Sequence, residues 1–298
     1  MSRGDRREQI VNSDEDRRLF VDTLAEACVK TDWQVHAYCL MGNHFHLVVE
    51  TPKANLVVGM KWLLGTYTIR YNARRSLRGH VFAGRYKSVV VDERDAHYLR
   101  VACDYVHLNP SRAGLIGKNG RLEDYEWSSY RDYLQSPGRR RGWVRTDRVM
   151  GEHGVGKDDR RSRLEFAQRM EAQRSESSPG EEASIRRGWR LGAEDFLEHL
   201  LDRVEGKFAE NHRALERMET DEEKAERIVK RELKECGASE EDLSLLRKGD
   251  AMKVEIARRL RKETTMSLKW IAGRLRMGSW THVSNRLYNA RKEENKGE

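Results

Sequence analysis

Gly42-Asn43-His44-Phe45-His46-Leu47-Val48-Val49-Glu50 carries the decisive pattern of this chain, an alternation with a period of two. A strand sends successive side chains to opposite faces. His44 and His46 therefore share one face, and Phe45, Leu47 and Val49 share the other. Two neutral imidazoles on one rigid face make adjacent ligands for a divalent metal, while the apolar face can bury against helices. Working outward, Trp33 to Leu40 and His44 to Thr51 read as an antiparallel hairpin around Met41-Gly42-Asn43. Ser13 suits the cap of a helix from Asp14 to about Thr31, with Leu19, Phe20, Thr23, Leu24, Ala27 and Cys28 as its buried stripe. Leu56 to Ser76 reads as a long helix that ends on Arg70, Arg74 and Arg75, where cations suit the helix dipole. Gly79 to Asp92 reads as a further hairpin or strand pair.

Asp95 to Leu108 reads as another helix, which Pro110 should end near Asn109. Tyr105 and Asn109 are four apart and share a face. Asn109 offers a neutral amide oxygen to a hard cation, and Tyr105 offers a phenol that can act as a nucleophile. Two imidazoles, an amide oxygen and water would leave room on Mg²⁺ or Mn²⁺ for a phosphate oxygen. Tyr98 is the rival nucleophile, seven residues earlier on nearly the same face. Glu50 shares the His44/His46 face and is open as an added ligand or as an acceptor behind one. His107 falls about 200° around the helix from Tyr105 and is not expected to ligate, nor is His36.

Four blocks carry a resemblance to a known family. They are Tyr38-Cys39-Leu40-Met41-Gly42-Asn43-His44-Phe45-His46, then Gly84-Arg85-Tyr86-Lys87-Ser88, then Tyr105-Val106-His107-Leu108-Asn109-Pro110-Ser111-Arg112-Ala113-Gly114-Leu115, and last Trp127-Ser128-Ser129-Tyr130. In order and spacing they resemble the REP-associated tyrosine transposases, a branch of the single-tyrosine HUH transposases, over roughly residues 3 to 135. The resemblance implies an α+β fold: a ferredoxin-like antiparallel sheet with helices, βαββαβ in order. It implies an enzyme that cleaves and rejoins single-stranded, hairpin-flanked DNA through a 5′-phosphotyrosine intermediate. By position His44 and His46 match the HUH pair, Tyr105 the nucleophile and Asn109 the third metal ligand. Arg70, Arg74, Arg85, Tyr86, Lys87 and Arg112 are the expected DNA contacts, since basic groups hold the backbone and aromatic rings stack on bases. One departure accompanies the match. Relatives carry an extra strand before the segment Ser2 to Arg7, beside the His-X-His strand. Its loss would leave an exposed sheet edge.

Composition bounds the rest. The 298 residues suffice for two domains, and 36% are charged, with mean hydropathy −0.86. No apolar run reaches membrane-spanning length and Met1 to Arg7 has no apolar core of a signal peptide. Cys28, Cys39, Cys103 and Cys236 lie far apart, with no CxxC pair to suggest a zinc site. A reduced, cytoplasmic protein at the bacterial nucleoid is the expectation, a monomer or homodimer. The net charge of +8 is uneven. Lys plus Arg against Asp plus Glu is 22 to 17 over residues 1–140, 23 to 27 over 141–250 and 12 to 5 over 251–298. Basic segments favour a phosphate backbone through counterion release.

Ser136 to Arg141 is a Pro-Gly-Arg break, so residues 1–135 are expected to form the catalytic domain. Residues 136–249 read as a connector, with a flexible linker at 172–188 and a charge-laced helical stretch from Glu194 to Cys236 in which Phe196, Leu197, Leu200 and Leu201 are the candidate buried positions. In residues 250–292, helices around Ile256-Ala257-Leu260 and Leu268-Ile271-Leu275 precede the turn Arg276-Met277-Gly278. Ser279 then suits the cap of a third helix carrying His282 and Arg286. This is a helix-turn-helix candidate for duplex DNA. Ser267 to Asn289 also resembles the duplex-binding C-terminal module of the bacterial replication initiator, which makes Ser279, His282 and Arg286 its expected contacts. Two other classes compete with the transposase: a DNA-binding regulator derived from one without its catalysis, and a metal-dependent single-strand nuclease.

Overall fold

The structure is a computed structural model that describes residues 1–117, 119–175, 185, 188–201 and 221–294. It is mixed α+β and divides into two compact units. The first takes in Met1–Ala25, Trp33–Glu50 and Leu64–His212, and the second Glu26–Asp32, Thr51–Leu63 and Arg213–Glu298.

The first unit is built on a three-stranded antiparallel sheet in the order β1 (Ser2–Arg3), β3 (His44–Glu50), β2 (Gln34–Leu40). The hairpin β2–β3 stands where the alternation put it, with Cys39 opposite His46 and Leu40 opposite Phe45. A bulge between Val35 and Ala37 shifts the register once. The edge beyond the His-X-His strand is not bare along its whole length. Ser2 pairs with Phe45 and Arg3 with His44, Gly4 N donates to Asn43 O, and Gly4 bridges Phe82. A two-residue strand has no pattern of its own to read, which is why sequence placed a gap here.

Helix α1 (Asp14–Thr31) starts at a reciprocal cap. Ser13 Oγ accepts from Asp16 N, and Asp16 Oδ2 accepts from the backbone N–H of Asn12 and of Ser13. On one side of the sheet Phe45 meets Phe20 of α1 at 4.8 Å between ring centres, and Phe20 meets Tyr67 of α2 (Leu56–Arg75) at 5.2 Å. On the other side Ala37, Cys39 and Met41 share a core with Leu99, Cys103 and Val106 of α3 (Ala96–Arg112). The sheet is thus covered on both faces, and α3 faces the histidines.

Two expectations fail locally. Helix α3 does not stop at Asn109 but runs through Pro110 to Arg112. Proline removes one donor, and the last turn still closes through Ala113 N on Asn109 O and Leu115 N on Pro110 O. Residues 79–92 form no hairpin. Only β4 (Val90–Val91) is extended, and it pairs in parallel with β5 (Arg190–Leu191) instead of joining the main sheet as a fourth strand. The core under α3 also continues past residue 135, through Tyr130 and Tyr133 of α4 (Tyr130–Leu134), Val149 and Met150 of α5 (Asp147–Glu152), and Phe166 and Met170 of α6 (Arg160–Ser175). Helix α6 takes in the first residues of the expected linker. The rest of that linker over 176–184, and residues 202–220 of the charged stretch, lie outside the described residues.

In the second unit α7 (Asp221–Glu235), α8 (Asp242–Leu245), α9 (Ala251–Glu263), α10 (Leu268–Arg274) and α11 (Trp280–Glu294) share one core, with Ile228, Leu243, Leu260, Ile271 and Val283 fully buried. Two buried lysines close helix ends. Lys253 Nζ donates to Leu243 O at 2.8 Å and Leu246 O at 3.0 Å. Lys30 Nζ donates to the carbonyls of Arg261, of Lys262 at 3.0 Å and of Thr264 at 3.4 Å, at the end of α9. A cation here meets the negative end of the helix dipole. Among the described residues no helix is long and apolar enough to cross a membrane.

Candidate active site

Strand β3 holds His44 and His46 with ring centres 5.1 Å apart. Asn43 fixes the first ring. Its Nδ2 donates to Arg7 O at 3.2 Å, so its Oδ1 faces His44 Nδ1 at 2.6 Å and accepts from it. That contact keeps the Nδ1 proton in place and leaves the Nε2 lone pair of His44 for a ligand. Burial lowers the pKa of His44 to about 4, with the charge of Arg3 adding to it. Burial, and then the neighbouring His44, lowers His46 to about 3. Both rings are therefore neutral near pH 7, the form in which imidazole binds metal.

Helix α3 brings Tyr105 to the same place. Asp95 Oδ1 caps the helix by accepting from His97 N at 2.9 Å. Ten residues beyond the cap, just under three turns, the buried Tyr105 ring meets His46 edge-on, with centres 5.6 Å apart. The rival Tyr98 packs its ring on His97 instead, at 5.4 Å. Asn109 follows Tyr105 by one turn and is buried, and its Nδ2 has no hydrogen-bond partner. An amide N–H without an acceptor suits a site that an incoming oxygen, such as one of a phosphate, completes. Arg112 comes one further turn along, with its guanidinium 5.3 Å from the Tyr105 ring centre and Nη1 3.4 Å from Tyr105 O.

The donor set of His44, His46 and Asn109 fits a hard or borderline divalent cation such as Mg²⁺ or Mn²⁺: two neutral nitrogens and one amide oxygen, with positions over for water or phosphate. Among the described residues no group of three His, Cys, Asp or Glu side chains could hold a metal. Glu50 is engaged elsewhere through one oxygen. Its Oε2 is taken by His36 Nε2 at 3.2 Å and Arg148 Nη1 at 3.0 Å. His107 is a core residue, 2.9 Å from Ser129 Oγ and edge-on to Tyr133.

The expected DNA contacts divide. Arg85 and Lys87 are exposed and Tyr86 half-buried, on a segment where Lys87 N donates to Met1 O at 2.9 Å. Arg74 instead faces carboxylates, Glu15 at 3.6 Å and the buried Asp16 at 3.4 Å, and Arg70 donates to Thr23 Oγ1 at 3.1 Å. In the second unit Ser279 caps α11, accepting from His282 N at 3.2 Å. His282 Nε2 is buried without a partner, and Arg286 is exposed.

Sequence reasoning missed what Ser129 does. Its Oγ accepts from Tyr38 N at 2.9 Å and its N donates to Tyr38 O at 3.0 Å, so the Trp127-Ser128-Ser129-Tyr130 block seals the outer edge of β2. It also missed the buried pair of Asp104 and His153, 2.9 Å apart. No local pattern announces either contact, since the partners lie 91 and 49 residues away.

The family model described as "Transposase IS200 like" matches residues 1–109. That span contains the His-X-His strand, Tyr105 and Asn109. The N-terminal part is thus similar to transposases, proteins of DNA transposition that cut and rejoin DNA. No curated protein and no solved structure matches the chain.

Proposed function

We propose that the first unit is a metal-dependent tyrosine transposase that cleaves and rejoins single-stranded, hairpin-flanked DNA, with Tyr105 as nucleophile. The observation that carries this is the edge-on contact of the Tyr105 ring with His46, 5.6 Å between centres, which joins a nucleophile to two neutral imidazoles. The likeness of residues 1–109 to IS200-like transposases supports it.

The phenolic oxygen of Tyr105 attacks the scissile phosphorus, the 3′ oxygen leaves as a hydroxyl, and the 5′ phosphate stays on the tyrosine. One P–O bond replaces another, so a 3′ hydroxyl of a second strand reverses the step without ATP. Mg²⁺ or Mn²⁺ on His44, His46 and Asn109 would neutralise charge on the phosphate during this exchange. The protein holds its groups ready for that: Asn43 orients His44, and burial keeps both imidazoles unprotonated.

The test is a labelled hairpin-flanked single strand incubated with the full chain and Mn²⁺, then resolved on a denaturing gel. A protein–DNA adduct that does not form when chelator is present from the start is the expected result. Released fragments with no adduct would mean hydrolysis, hence a nuclease. Shifted but uncut DNA would mean a binding protein only. His44→Ala should lower cleavage by roughly a hundredfold or more while DNA affinity stays within about threefold, because phosphate contacts elsewhere carry affinity.

Residues 250–292 favour a second activity, duplex binding by helix-turn-helix. The supporting observation is at the start of α11, where Ser279 caps the helix, Trp280 is 56% exposed, and the Arg286 guanidinium lies against Gly249. A β-carbon on Gly249 would stand 2.6 Å from Arg286 Nε, so this glycine makes room for the arginine. Arg286→Ala should weaken duplex binding and lower the slope of log K against log salt by about one, as expected for one lost phosphate contact. A titration with an unchanged slope would remove Arg286 from the interface. Isolating residues 245–298 would be a poor test, because α7 supplies Ile228, Val229 and Leu233 to the same core.

A further inference from the structure

We infer that Arg112 grips the non-bridging oxygens of the scissile phosphate while Tyr105 attacks, and keeps hold of the same oxygens in the phosphotyrosine. This rests on the function proposed above and names a further catalytic residue for it.

Tyr105, Asn109 and Arg112 stand at i, i+4 and i+7 on α3, a single stripe of the helix. The guanidinium lies 5.3 Å from the Tyr105 ring centre and Nη1 lies 3.4 Å from Tyr105 O, so the side chain folds back along the helix toward the nucleophile. Arg112 is exposed, whereas the ring it covers is buried. Its exposed head therefore stands beside the buried ring, within reach of a strand brought to the phenol. The position is also favourable at rest, because the last turn of a helix attracts a cation. A planar guanidinium matches two phosphate oxygens at once, which an ammonium cannot do.

The chemistry gives the cation a purpose. As the Tyr105 oxygen bonds to phosphorus and the bond to the 3′ oxygen breaks, negative charge grows on the non-bridging oxygens. The phenol proton passes to water, and the departing 3′ oxygen takes one from water. A donor already aimed at that growing charge lowers the barrier, typically by a hundredfold to a thousandfold in rate. After the exchange the phosphotyrosine is still an anion on the same ring. Arg112 then holds it for the incoming 3′ hydroxyl without further movement of α3.

The experiment compares the full chain with Arg112→Gln and Arg112→Lys in single-turnover adduct formation on the hairpin-flanked strand, beside DNA affinity and thermal melting of each protein. Arg112→Gln should form adduct about a hundredfold more slowly with affinity and melting nearly unchanged, and Arg112→Lys should recover about a tenth of the wild-type rate. Added guanidinium ion at a few tens of millimolar should speed Arg112→Gln, while sodium at equal ionic strength should not. Wild-type rates in Arg112→Gln would overturn the inference. So would a loss confined to affinity, which marks an ordinary backbone contact, or a rate loss that guanidinium does not restore, which marks a role in holding the helix. If the wild-type chain itself forms no adduct, the functional proposal fails and this inference falls with it, a result distinct from the other three.

Discussion

Tyr105→Phe should abolish the covalent adduct, lowering strand cleavage roughly 10⁴-fold or more, which is the scale of losing a nucleophile outright. The phenylalanine keeps the ring that meets His46 and lies under Arg112, so the fold around α3 should survive. Affinity for the DNA should change little, since the removed hydroxyl is one group among many contacts. The measurement is the denaturing gel described above, with Tyr98→Phe run beside it. Tyr98 meets His97 and not the His44/His46 pair, so its variant should retain the adduct. Adduct that persists in Tyr105→Phe and disappears in Tyr98→Phe would move the nucleophile about two turns toward the start of the helix, to the ring that meets His97.

The second large effect concerns stability. Asp16 is fully buried, yet it accepts from Asn12 N, Ser13 N and both Nε and Nη2 of Arg75. Burial alone would raise its pKa, but the Arg75 hydrogen bonds and the backbone donors outweigh that and hold the carboxyl below its usual value. Asp16→Ala strands two cap N–H groups and an arginine. Arg75 is partly exposed and can recover some hydration, so the cost should be about 2–3 kcal/mol, a fall of roughly 5–10 °C in melting temperature. The sign with pH follows from the depressed value. The stabilisation is complete above the unfolded carboxylate range near pH 4 and is lost as pH falls through the lower folded pKa. Asp16→Ala should therefore flatten the acid limb of the stability curve as well as lower it. A variant melting within a degree of wild type would mean that Arg74 and Arg75 are satisfied without Asp16.

The parts of the fold that could be read from sequence are those whose signal is local. The β2–β3 hairpin follows from a two-residue alternation around Gly42-Asn43, and α1 from Ser13 and Asp16 three apart. Part of the candidate site was legible for a similar reason. Strand geometry puts His44 and His46 on one face and helix geometry lines up Tyr105 and Asn109, and the contact of the two elements is that of the His46 and Tyr105 rings. What sequence could not reveal is set by distant partners. Ser2–Arg3 becomes a strand only because His44 and Phe45 offer an edge. Val90–Val91 finds Arg190–Leu191 instead of the main sheet. The charge of Arg74 is visible in the sequence, while the carboxylates of Glu15 and Asp16 beside it are not visible as neighbours. Pro110 misled because the penalty on one helical hydrogen bond says nothing of a last turn that closes after it.

The lysine that closes α9 sets a timetable for synthesis. Lys30 and its acceptor Thr264 O are 234 residues apart in the chain. At roughly 5–20 residues per second, the ribosome needs on the order of ten to fifty seconds to produce the second after the first. Through that interval a side chain that ends up 3% exposed stands in water without its carbonyls. The end of α1 belongs to the unit finished last, not to the one that emerges first. A premature stop or frameshift near residue 250 would therefore damage the end of an N-terminal helix as surely as a substitution within it.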